Sequence, residues 1–386
     1  MAQSDEGNQE YTGLSRVEPT LPTRFYLDPD HHALELQRIW YRNWIYVCRA
    51  SELDGPRAFR VFDLGSQQIL LLRDEGGELQ AFHNTCRHRG STLIQKAEGC
   101  LRNARITCPY HSWTYDLQGR LQRRPTRGEQ ADFDKADYSL YDVAVSDWNG
   151  FIFIHLEPEN AAPLETAFDA SHLLDNWHLA ELQVGHTHTR TLACNWKIFW
   201  ENFNECLHCP NIHPSLSQIV PLYKQYFMEV HDDPEWQAHQ REGDPLYKAG
   251  LAEGKETWSS DGLPCAEYFP DLSPEEIERG HTYCENTPSM YVVGHVDYAR
   301  SVRILPLGPE QTQIQAQWLF RPEVLQNPDF DAAEVAAFAT QVIEEDGAAA
   351  ELNQKGLHSI RHERGALMPE EYAVHSFQRW VKDQLD

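Results

Sequence analysis

Two Cys/His pairs constrain the fold of this chain more than any other feature of its sequence. Cys86 and His88 form a C-x-H motif in "CRHRG", and Cys108 and His111 form a C-x-x-H motif in "CPYHSW". Nineteen residues separate the two motifs. Each pair offers one thiolate and one imidazole, so we expect two loops to bring these four side chains to one metal centre.

The type of metal centre depends on how the ligands are distributed between the two motifs. A structural zinc site is one alternative, but such sites typically use C-x(2–4)-C followed by a separate histidine pair. Two thiolates on one iron and two imidazoles on the other suit a [2Fe-2S] cluster of the Rieske type. In that arrangement Cys86 and Cys108 hold one iron, and His88 and His111 hold the other.

The chain divides into an N-terminal segment and two domains. Residues 1–43 form the N-terminal segment, and a helix predicted from residue 28 to 44, which starts with Asp and Pro, leads from it into the first domain. Residues 44–157 contain short β-rich runs separated by Gly, Asp and Pro turns, and they predict a compact antiparallel β-domain that holds both Cys/His pairs. After "EPENAAPLE", residues 158–386 alternate longer helical segments with strands.

The second domain contains two clear periodic segments. In "QTQIQAQWLF", residues 311–320, apolar side chains alternate with glutamines, which predicts a half-buried antiparallel strand. Residues 331–355 carry an apolar stripe at helical spacing. The predicted fold class is therefore α+β, with an N-terminal antiparallel β-domain and a C-terminal domain whose antiparallel sheet is flanked by helices in a helix-grip-like arrangement.

Charge and cysteine content exclude several other classes of protein. The formal net charge of −26 and the lack of a basic stripe argue against a nucleic-acid partner. We find no signal peptide and no apolar run of the ~20 residues that a membrane helix needs, so we expect a cytoplasmic chain with no membrane partner. Nine cysteines, an odd number, favour metal ligation or buried thiols over disulfides.

A second candidate metal site lies in "NWKIFWENFNECLHCPNIHPSL", residues 195–216. Glu201, Glu205 and His208 are spaced at i, i+4 and i+7, so they are predicted to share one face of a helix. His213 follows Pro210, where the helix must loosen. Two imidazoles are therefore predicted to converge from a helix and its unwound end.

Both candidate sites resemble segments of the Rieske non-haem iron oxygenase family. "CRHRG" and "CPYHSWTYDLQGRL" resemble the two cluster-binding loops of the family's terminal oxygenase (alpha) subunits, and residues 195–216 resemble its mononuclear-iron segment. The resemblance extends from about residue 25 to the end of the chain and is weakest between residues 217 and 300. It implies a homotrimer whose protomers each hold a Rieske cluster and a mononuclear Fe(II).

The family resemblance also implies a third iron ligand. A similar acidic motif in the family has an Asp followed by Glu five and Gln eight residues later, and Asp346, Glu351 and Gln354 match it. His208, His213 and Asp346 then form a facial triad with open positions for O2. Asp346 also continues the apolar stripe of its helix, where a buried carboxylate needs a partner. Glu345 is the main competitor for this role.

The resemblance gives Glu205 a different role. In the family, the acid three residues before the first iron histidine bridges the mononuclear centre to a cluster histidine of the neighbouring subunit. Aromatic-ring dioxygenases usually have Asp at this position, whereas this chain has Glu. Electrons would then pass from His88 or His111 of one protomer through Glu205 to iron in the next. The alternative is that Glu205 only pairs with a surface base.

The activity implied by the resemblance is oxidation of a small organic substrate by O2. The chain has no G-x-G-x-x-G within a βαβ unit and no second cysteine cluster, so we expect a separate NAD(P)H-dependent flavin or iron–sulfur reductase. Alternatives from other classes are a Rieske electron carrier without mononuclear iron and a zinc-stabilised binding protein. The spacing does not decide between insertion of one oxygen atom and insertion of two.

The predicted substrate is a quaternary ammonium compound, which would undergo N-demethylation or C–H hydroxylation. Glu205, the "ECLHCP" run and the "ELNQKGL" tail resemble the oxygenases acting on betaines and carnitine. An aromatic ring hydroxylase or dioxygenase is the alternative. Trp258, Tyr283, Tyr291 and Trp318 are aromatic residues available to contact an ammonium group, although the sequence does not assign a cage.

Overall fold

The computed structural model describes residues 14–126, 128, 130–226 and 251–386. Its strands are β1 (Glu18–Pro19), β2 (Ile45–Arg49), β3 (Ala58–Leu64), β4 (Gln67–Arg73), β5 (Leu79–His83), β6 (Glu98–Cys100), β7 (Ile106–Thr107), β8 (Thr114–Tyr115), β9 (Leu121–Arg123), β10 (Ala144–Trp148), β11 (Phe151–His155), β12 (Gln183–Leu192), β13 (His281–Asn286), β14 (Met290–His295), β15 (Ala299–Gly308), β16 (Gln311–Phe320) and β17 (Ala366–Leu367). Its α-helices are α1 (Arg24–Leu27), α2 (Pro29–Glu35), α3 (Leu164–Ala167), α4 (Trp196–Phe203), α5 (Cys209–Ile212), α6 (Leu216–Ile219), α7 (Pro274–Arg279), α8 (Pro322–Leu325), α9 (Ala332–Leu357) and α10 (Tyr372–Leu385).

The N-terminal strands form three small antiparallel sheets. Their orders are β10-β11-β2, β5-β4-β3-β6 and β7-β8-β9. The Cys86/His88 loop follows β5, and the Cys108/His111 turn joins β7 to β8. A separate apolar core that includes Leu70 and Tyr115 lies beneath both loops and also contains the two cysteines. The predicted antiparallel β-domain is confirmed, and its sheets fix the spacing between the two ligand loops.

The C-terminal sheet has the strand order β12-β16-β15-β14-β13, and every neighbouring pair is antiparallel. The strand predicted over residues 311–320 is β16, and Ile314 and Trp318 on its apolar face are buried. The half-buried pattern is wrong for the second half of β16, because Gln317 and Leu319 on its other face are buried as well. Tyr46 of β2 packs there, and its hydroxyl donates to Gln317 Oε1 at 3.3 Å.

The long helix α9 crosses the sheet beside β12 and carries the acidic residues of the candidate site. It agrees with the predicted helix over residues 331–355, and Asp331 caps its start by accepting from the Ala333 N–H at 2.8 Å. Gly347 lets the helix approach the sheet closely, since a Cβ there would lie 2.7 Å from Arg190 Nη1 and Leu192 Cδ2. This close contact fixes the position of the neighbouring Asp346.

The predicted helix over residues 28–44 is shorter in the structure. Asp28 caps α2 by accepting from the Asp30 N–H, and Pro29 occupies the first helical position. Residues Leu36–Trp40 continue as a π-helix, and the chain then leaves for β2. The first 13 residues of the predicted N-terminal segment lie outside the described residues. None of the helices in the described ranges is long and apolar enough to cross a membrane.

Candidate active site with two metal centres

The two Cys/His loops are closed by their own backbone hydrogen bonds. The Cys86 N–H donates to Ser91 O and the Gly90 N–H to Cys86 O, both at 2.9 Å. In the second loop the Cys108 N–H donates to Trp113 O at 2.8 Å and the Ser112 N–H to Cys108 O at 3.1 Å. These hydrogen bonds close each C-x-H or C-x-x-H motif into a tight turn.

The four predicted cluster residues meet with thiols inside and imidazoles outside. Cys86 and Cys108 are 3% and 1% exposed, whereas His88 is exposed. The rings of His88 and His111 are 4.6 Å apart between centroids. Partial burial, together with His111 and Arg89, lowers the pKa of His88, which favours the neutral imidazole that binds a metal. The burial gradient fits a cluster whose histidine edge faces outward.

Arg87 and Trp113 help to hold this arrangement. The Arg87 guanidinium donates to Ser139 O at 2.5 Å and to Asp137 O at 2.9 Å. Trp113 stacks on the His88 ring, with centroids 4.9 Å apart and an angle of 10° between the planes. The arginine-rich motif is therefore partly structural, because Arg87 ties the first loop to a neighbouring segment.

Tyr115 is the hydrogen-bond partner of a predicted cluster thiolate. Its hydroxyl lies 3.4 Å from Cys86 Sγ and accepts from the Arg87 N–H at 3.1 Å. The phenol proton is then available to the sulfur. Hydrogen bonds to cluster sulfurs raise the reduction potential because they stabilise the more negative reduced state.

We expect Tyr115→Phe to lower the cluster potential while leaving the cluster bound. Loss of one hydrogen bond of about 1 kcal/mol corresponds to a fall of about 40 mV for one electron. A redox titration followed by EPR measures the shift. Thr114→Val is the control, since Thr114 bonds to Thr107 and Ser112 rather than to a cysteine. An unchanged potential in Tyr115→Phe contradicts this role.

The second centre brings His208, His213 and Asp346 together. His213 Nε2 lies 2.7 Å and His208 Nε2 3.3 Å from the same oxygen, Asp346 Oδ1. The ligand atoms of all three lie within 4.8 Å of one another. Ligand atoms about 2.1 Å from a common ion lie about 3 Å apart in adjacent positions. The three side chains therefore fit two imidazoles and one carboxylate around a single ion.

The path of the chain through this centre differs from the prediction. Helix α4 ends at Phe203, so Glu205 and His208 do not continue the helical face of Glu201. The Asn204 side chain donates to Trp200 O at 2.8 Å and helps to end the helix there. Pro210 lies in the first turn of the short helix α5 instead of loosening a longer one, because a first-turn residue needs no amide proton. His208 and His213 flank α5.

The three neighbouring acids of α9 have different partners. Asp346 faces both Nε2 atoms, whereas Glu345 Oε2 lies 2.8 Å from the opposite nitrogen of His213, Nδ1. Glu344 leaves the site and pairs with His188 and Arg190. Glu345, the predicted competitor, therefore has the geometry of a residue that orients His213 rather than that of a ligand.

Glu205 contacts His208 in the same way that Glu345 contacts His213. Its Oε1 lies 2.5 Å from His208 Nδ1, and its Oε2 accepts from the backbone N–H groups of Leu207 and His208. No lysine or arginine among the described residues pairs with it. The described residues therefore do not support the alternative in which Glu205 only pairs with a basic residue at the surface. Glu205 fixes the tautomer that leaves His208 Nε2 free for a metal.

The electrostatics of the centre favour a cation. Burial raises the pKa of Asp346, but the hydrogen bonds with His208 and His213 outweigh it and hold that pKa below its usual value. Burial lowers the pKa of His208, but Asp346, Cys209 and Glu205 together raise it to about 12. The same buried carboxylate and imidazole groups that bind protons so strongly also attract a divalent metal ion. Such an ion matches these two types of ligand.

A cleft opens beside the three residues. Its lining includes Phe203, Trp258, Tyr283 and Tyr291. Trp318 does not line it, since this side chain is fully buried in the sheet and contacts His186. Of the four aromatic residues counted in the sequence, three therefore reach the cleft.

Several lining residues were missed in the sequence. Cys206 and Cys209 have no predicted role, yet both line the cleft, and Cys209 Sγ lies 3.8 Å from His208 Nε2. His281 and Arg300 line it from β13 and β15. No local motif marks these two strand residues, because the strand pairing that aligns them joins distant parts of the chain.

A second cavity is also lined by Glu205 and His208. Its lining includes Tyr26, Glu201 and Glu371. The Tyr26 hydroxyl and the Gln378 amide both donate to Glu201 Oε1, at 2.6 and 2.9 Å. Burial raises the pKa of Glu201 to about 7. Glu205 and His208 thus line two cavities, and Glu205 has access to both.

Comparison with known proteins gives similarities over both halves of the chain. Residues 43–134 match the Rieske [2Fe-2S] domain, and residues 179–386 match the ring hydroxylating alpha subunit (catalytic domain). The glycine betaine monooxygenase oxygenase subunit of Chromohalobacter salexigens is 29% identical over 388 residues, covering 95% of this chain and 86% of that protein. The carnitine monooxygenase oxygenase subunit of Escherichia coli K12 is 32% identical over 215 residues, covering 55% of this chain and 56% of that one.

A solved structure matches the whole fold. The crystal structure of a quaternary ammonium Rieske monooxygenase in complex with L-carnitine superposes with a TM-score of 0.71. The two chains are 21% identical, and the match covers 96% of each. The predicted α+β architecture, with the cluster domain first and the catalytic domain second, is confirmed by this likeness.

Proposed function

The chain belongs to the ring-hydroxylating oxygenase alpha subunits, and on that basis we propose that it oxidises a quaternary ammonium compound. Family membership makes it an oxygenase that works with a Rieske [2Fe-2S] cluster, mononuclear iron and O2. The observation that carries the proposal is the cleft beside His208, His213 and Asp346, whose lining includes the aromatic side chains of Phe203, Tyr283 and Tyr291.

We assign the metal-binding roles as follows. Cys86 and Cys108 hold one iron of the cluster, and His88 and His111 hold the other. His208, His213 and Asp346 hold the mononuclear iron. When bound, the cluster supplies single electrons, and the mononuclear iron activates O2.

The side chains around these ligands have positioning roles. Glu205 and Glu345 each bond the Nδ1 of one histidine, at 2.5 and 2.8 Å, so both imidazoles present Nε2 to the same point. This fixed geometry lowers the cost of reorganisation when the ion binds. The apolar walls that include Phe203 and Val342 keep bulk water from the reacting end of the cleft.

The aromatic and acidic lining suits a quaternary ammonium group. Such a cation cannot donate hydrogen bonds, and aromatic faces attract it through their quadrupoles. Tyr291 and Phe203 stack with centroids 4.1 Å apart in the lining of the cleft. The named activities of the similar proteins from Chromohalobacter salexigens and Escherichia coli support the same substrate class. Aromatic ring oxidation is the less supported alternative.

We propose that electrons cross between protomers of a homotrimer through Glu205. The exposed edge at His88 would dock in the second cavity of the neighbouring protomer, where Glu205 is accessible. Electrons would enter from a separate NAD(P)H-dependent flavin or iron–sulfur reductase. Inter-subunit electron transfer is described for a structurally similar quaternary ammonium Rieske monooxygenase, which supports the assignment. The cytoplasmic location stays a prediction.

A single turnover tests the proposed substrate class. The enzyme is reduced with dithionite, mixed with O2 and a panel of betaines, carnitine, choline and benzoate, and its products are identified by mass spectrometry. We expect a quaternary ammonium substrate to gain one oxygen atom on a carbon next to nitrogen, while the other oxygen atom becomes water. N-demethylation then releases formaldehyde and a tertiary amine.

Two results of the same experiment contradict the proposal. Hydroxylated benzoate without formaldehyde assigns the chain to ring oxidation. A Rieske cluster that reduces and reoxidises with no mononuclear iron and no product assigns it to electron transfer. Benzoate therefore serves as the internal control for the alternative activity.

A further inference from the structure

One wall of the cleft carries buried polar atoms that have no hydrogen-bond partner. These atoms are Trp258 Nε1, His281 Nδ1, both ring nitrogens of His295, and Arg300 Nε. The four side chains are between 0% and 8% exposed. Because buried polar groups are nearly always hydrogen-bonded, a group of orphaned atoms in one place indicates a missing ligand.

The four side chains form one cluster. The Trp258 ring centroid lies 5.5 Å from that of His281 and 5.6 Å from that of His295. The Arg300 guanidinium carbon lies 5.8 Å from the Trp258 ring centroid. Trp258, His281 and Arg300 line the cleft directly, whereas His295 lies behind them and is fully buried.

Arg300 brings a positive charge that no described acid balances. No ion pair or side-chain hydrogen bond joins its guanidinium to any other residue in the described ranges. Asp297 is three residues away but accepts from the Thr257 hydroxyl at 2.8 Å and the Cys265 N–H at 2.7 Å. Burying an arginine without an ionic partner costs free energy of folding, and a bound anion would offset this cost.

The two histidines are available as neutral donors to that anion. Burial, together with Arg279 and Arg300, lowers the pKa of His281 to about 4. Burial also lowers the pKa of His295. A neutral imidazole still donates one N–H, and the indole N–H of Trp258 can only donate. The wall thus offers hydrogen-bond donors around one fixed positive charge.

We propose that Arg300, Trp258 and His281 bind the carboxylate of the substrate. This inference rests on the proposed function, and it narrows the substrate class to zwitterions that carry a carboxylate as well as a quaternary ammonium group. Because Arg300 repels the ammonium, we place that group beside Asp346, which lines the same cleft. The planar guanidinium matches a carboxylate through two parallel hydrogen bonds. This orientation directs an N-methyl group toward the iron-binding residues.

Three probes separate the two charges of such a substrate. Glycine betaine has both groups, choline has the ammonium without the carboxylate, and 3,3-dimethylbutanoate has the carboxylate with a neutral carbon in place of the nitrogen. Their binding to the oxidised holoenzyme is measured by isothermal titration calorimetry. The wild type is expected to bind glycine betaine most tightly and to bind 3,3-dimethylbutanoate measurably.

The decisive variant is Arg300→Gln. We expect the Kd of both carboxylates to rise by about 30-fold or more, because a buried charged partner is lost. The Kd of choline is expected to change by less than about threefold, because choline has no carboxylate. Arg279→Gln is the matched control, since Arg279 is a nearby but partly exposed arginine outside the cleft lining. It should leave all three Kd values nearly unchanged.

A second variant covers the case in which Arg300→Gln does not fold. Trp258→Phe keeps an aromatic ring and removes only the N–H, so both carboxylates should bind about tenfold more weakly while choline is unaffected. Thermal unfolding of each variant verifies that it is folded.

The outcomes separate this inference from the proposed function. Equal weakening of all three probes, or no carboxylate binding by the wild type, overturns the carboxylate site. If 3,3-dimethylbutanoate binds as tightly as glycine betaine and depends on Arg300, the carboxylate site is supported and the quaternary ammonium proposal fails.

Discussion

Replacement of Asp346 by alanine is expected to remove the mononuclear iron and abolish oxygenation, while the spectrum of the cluster stays unchanged. Asp346 Oδ1 faces both His208 Nε2 and His213 Nε2, and without it two imidazoles alone remain. Loss of a hydrogen-bond partner of a ligand typically costs roughly 10- to 100-fold in metal affinity or activity, and loss of the ligand itself should cost more. Iron analysis, visible absorption and product yield measure the three expectations separately.

The other acids of α9 provide the controls for Asp346. Glu344→Gln should retain both iron and activity, because Glu344 pairs with His188 and Arg190 outside the centre. Glu345→Gln should weaken iron binding by roughly 10- to 100-fold, because it loosens His213 without removing a ligand. If Glu345→Gln loses the iron and Asp346→Ala retains it, the ligand assignment is reversed.

The sequence predicted which side chains come together at the two candidate metal sites better than it predicted the backbone that carries them. Cys86, His88, Cys108 and His111 lie in two short motifs, so their meeting requires only that the two loops be neighbours in a small β-domain. Asp346 was predicted from the resemblance of Asp346, Glu351 and Gln354 to the family's acidic motif, and its place on an apolar helical stripe, which is a local pattern, supports it. The α4 end at Asn204 was missed, because helix propensity there is overridden by a side-chain hydrogen bond and by the packing of the next turn.

The residues that line the cleft from the sheet and from distant loops could not be predicted from local patterns. His281 and Arg300 lie on β13 and β15, and they reach the same cleft only because β14 pairs between them. Trp258 comes from a loop, where aromatic spacing carries no periodic signal. Trp318 lies in a segment with a clear strand pattern, but this pattern is compatible with either a core residue or a cleft residue. In the structure Trp318 is buried in the core. Pairing between strands that are distant in the sequence determines whether such side chains face the core or the cleft, and local sequence patterns do not reveal this pairing.

Replacement of Glu205 by glutamine is expected to slow electron transfer between protomers while leaving both metals bound. The glutamine oxygen can still accept from His208 Nδ1, so the orientation of that ligand is preserved. The negative charge facing the second cavity is lost, and a roughly 10- to 100-fold fall in the rate is expected. Stopped-flow absorbance of the reduced enzyme, mixed with O2 and substrate, measures the rate of cluster oxidation.

The comparison variants for Glu205 separate charge from length. Glu205→Asp keeps the carboxylate but is one methylene shorter, so its rate should fall between those of the wild type and Glu205→Gln. Glu371→Gln changes another acid that lines the same cavity and forms no described hydrogen bond or ion pair with His208, and its rate should stay within about threefold of the wild type.

Normal cluster oxidation in Glu205→Gln would mean that the electron path does not need this carboxylate. Slow oxidation in Glu371→Gln as well would instead indicate that the cavity as a whole controls docking of the neighbouring protomer.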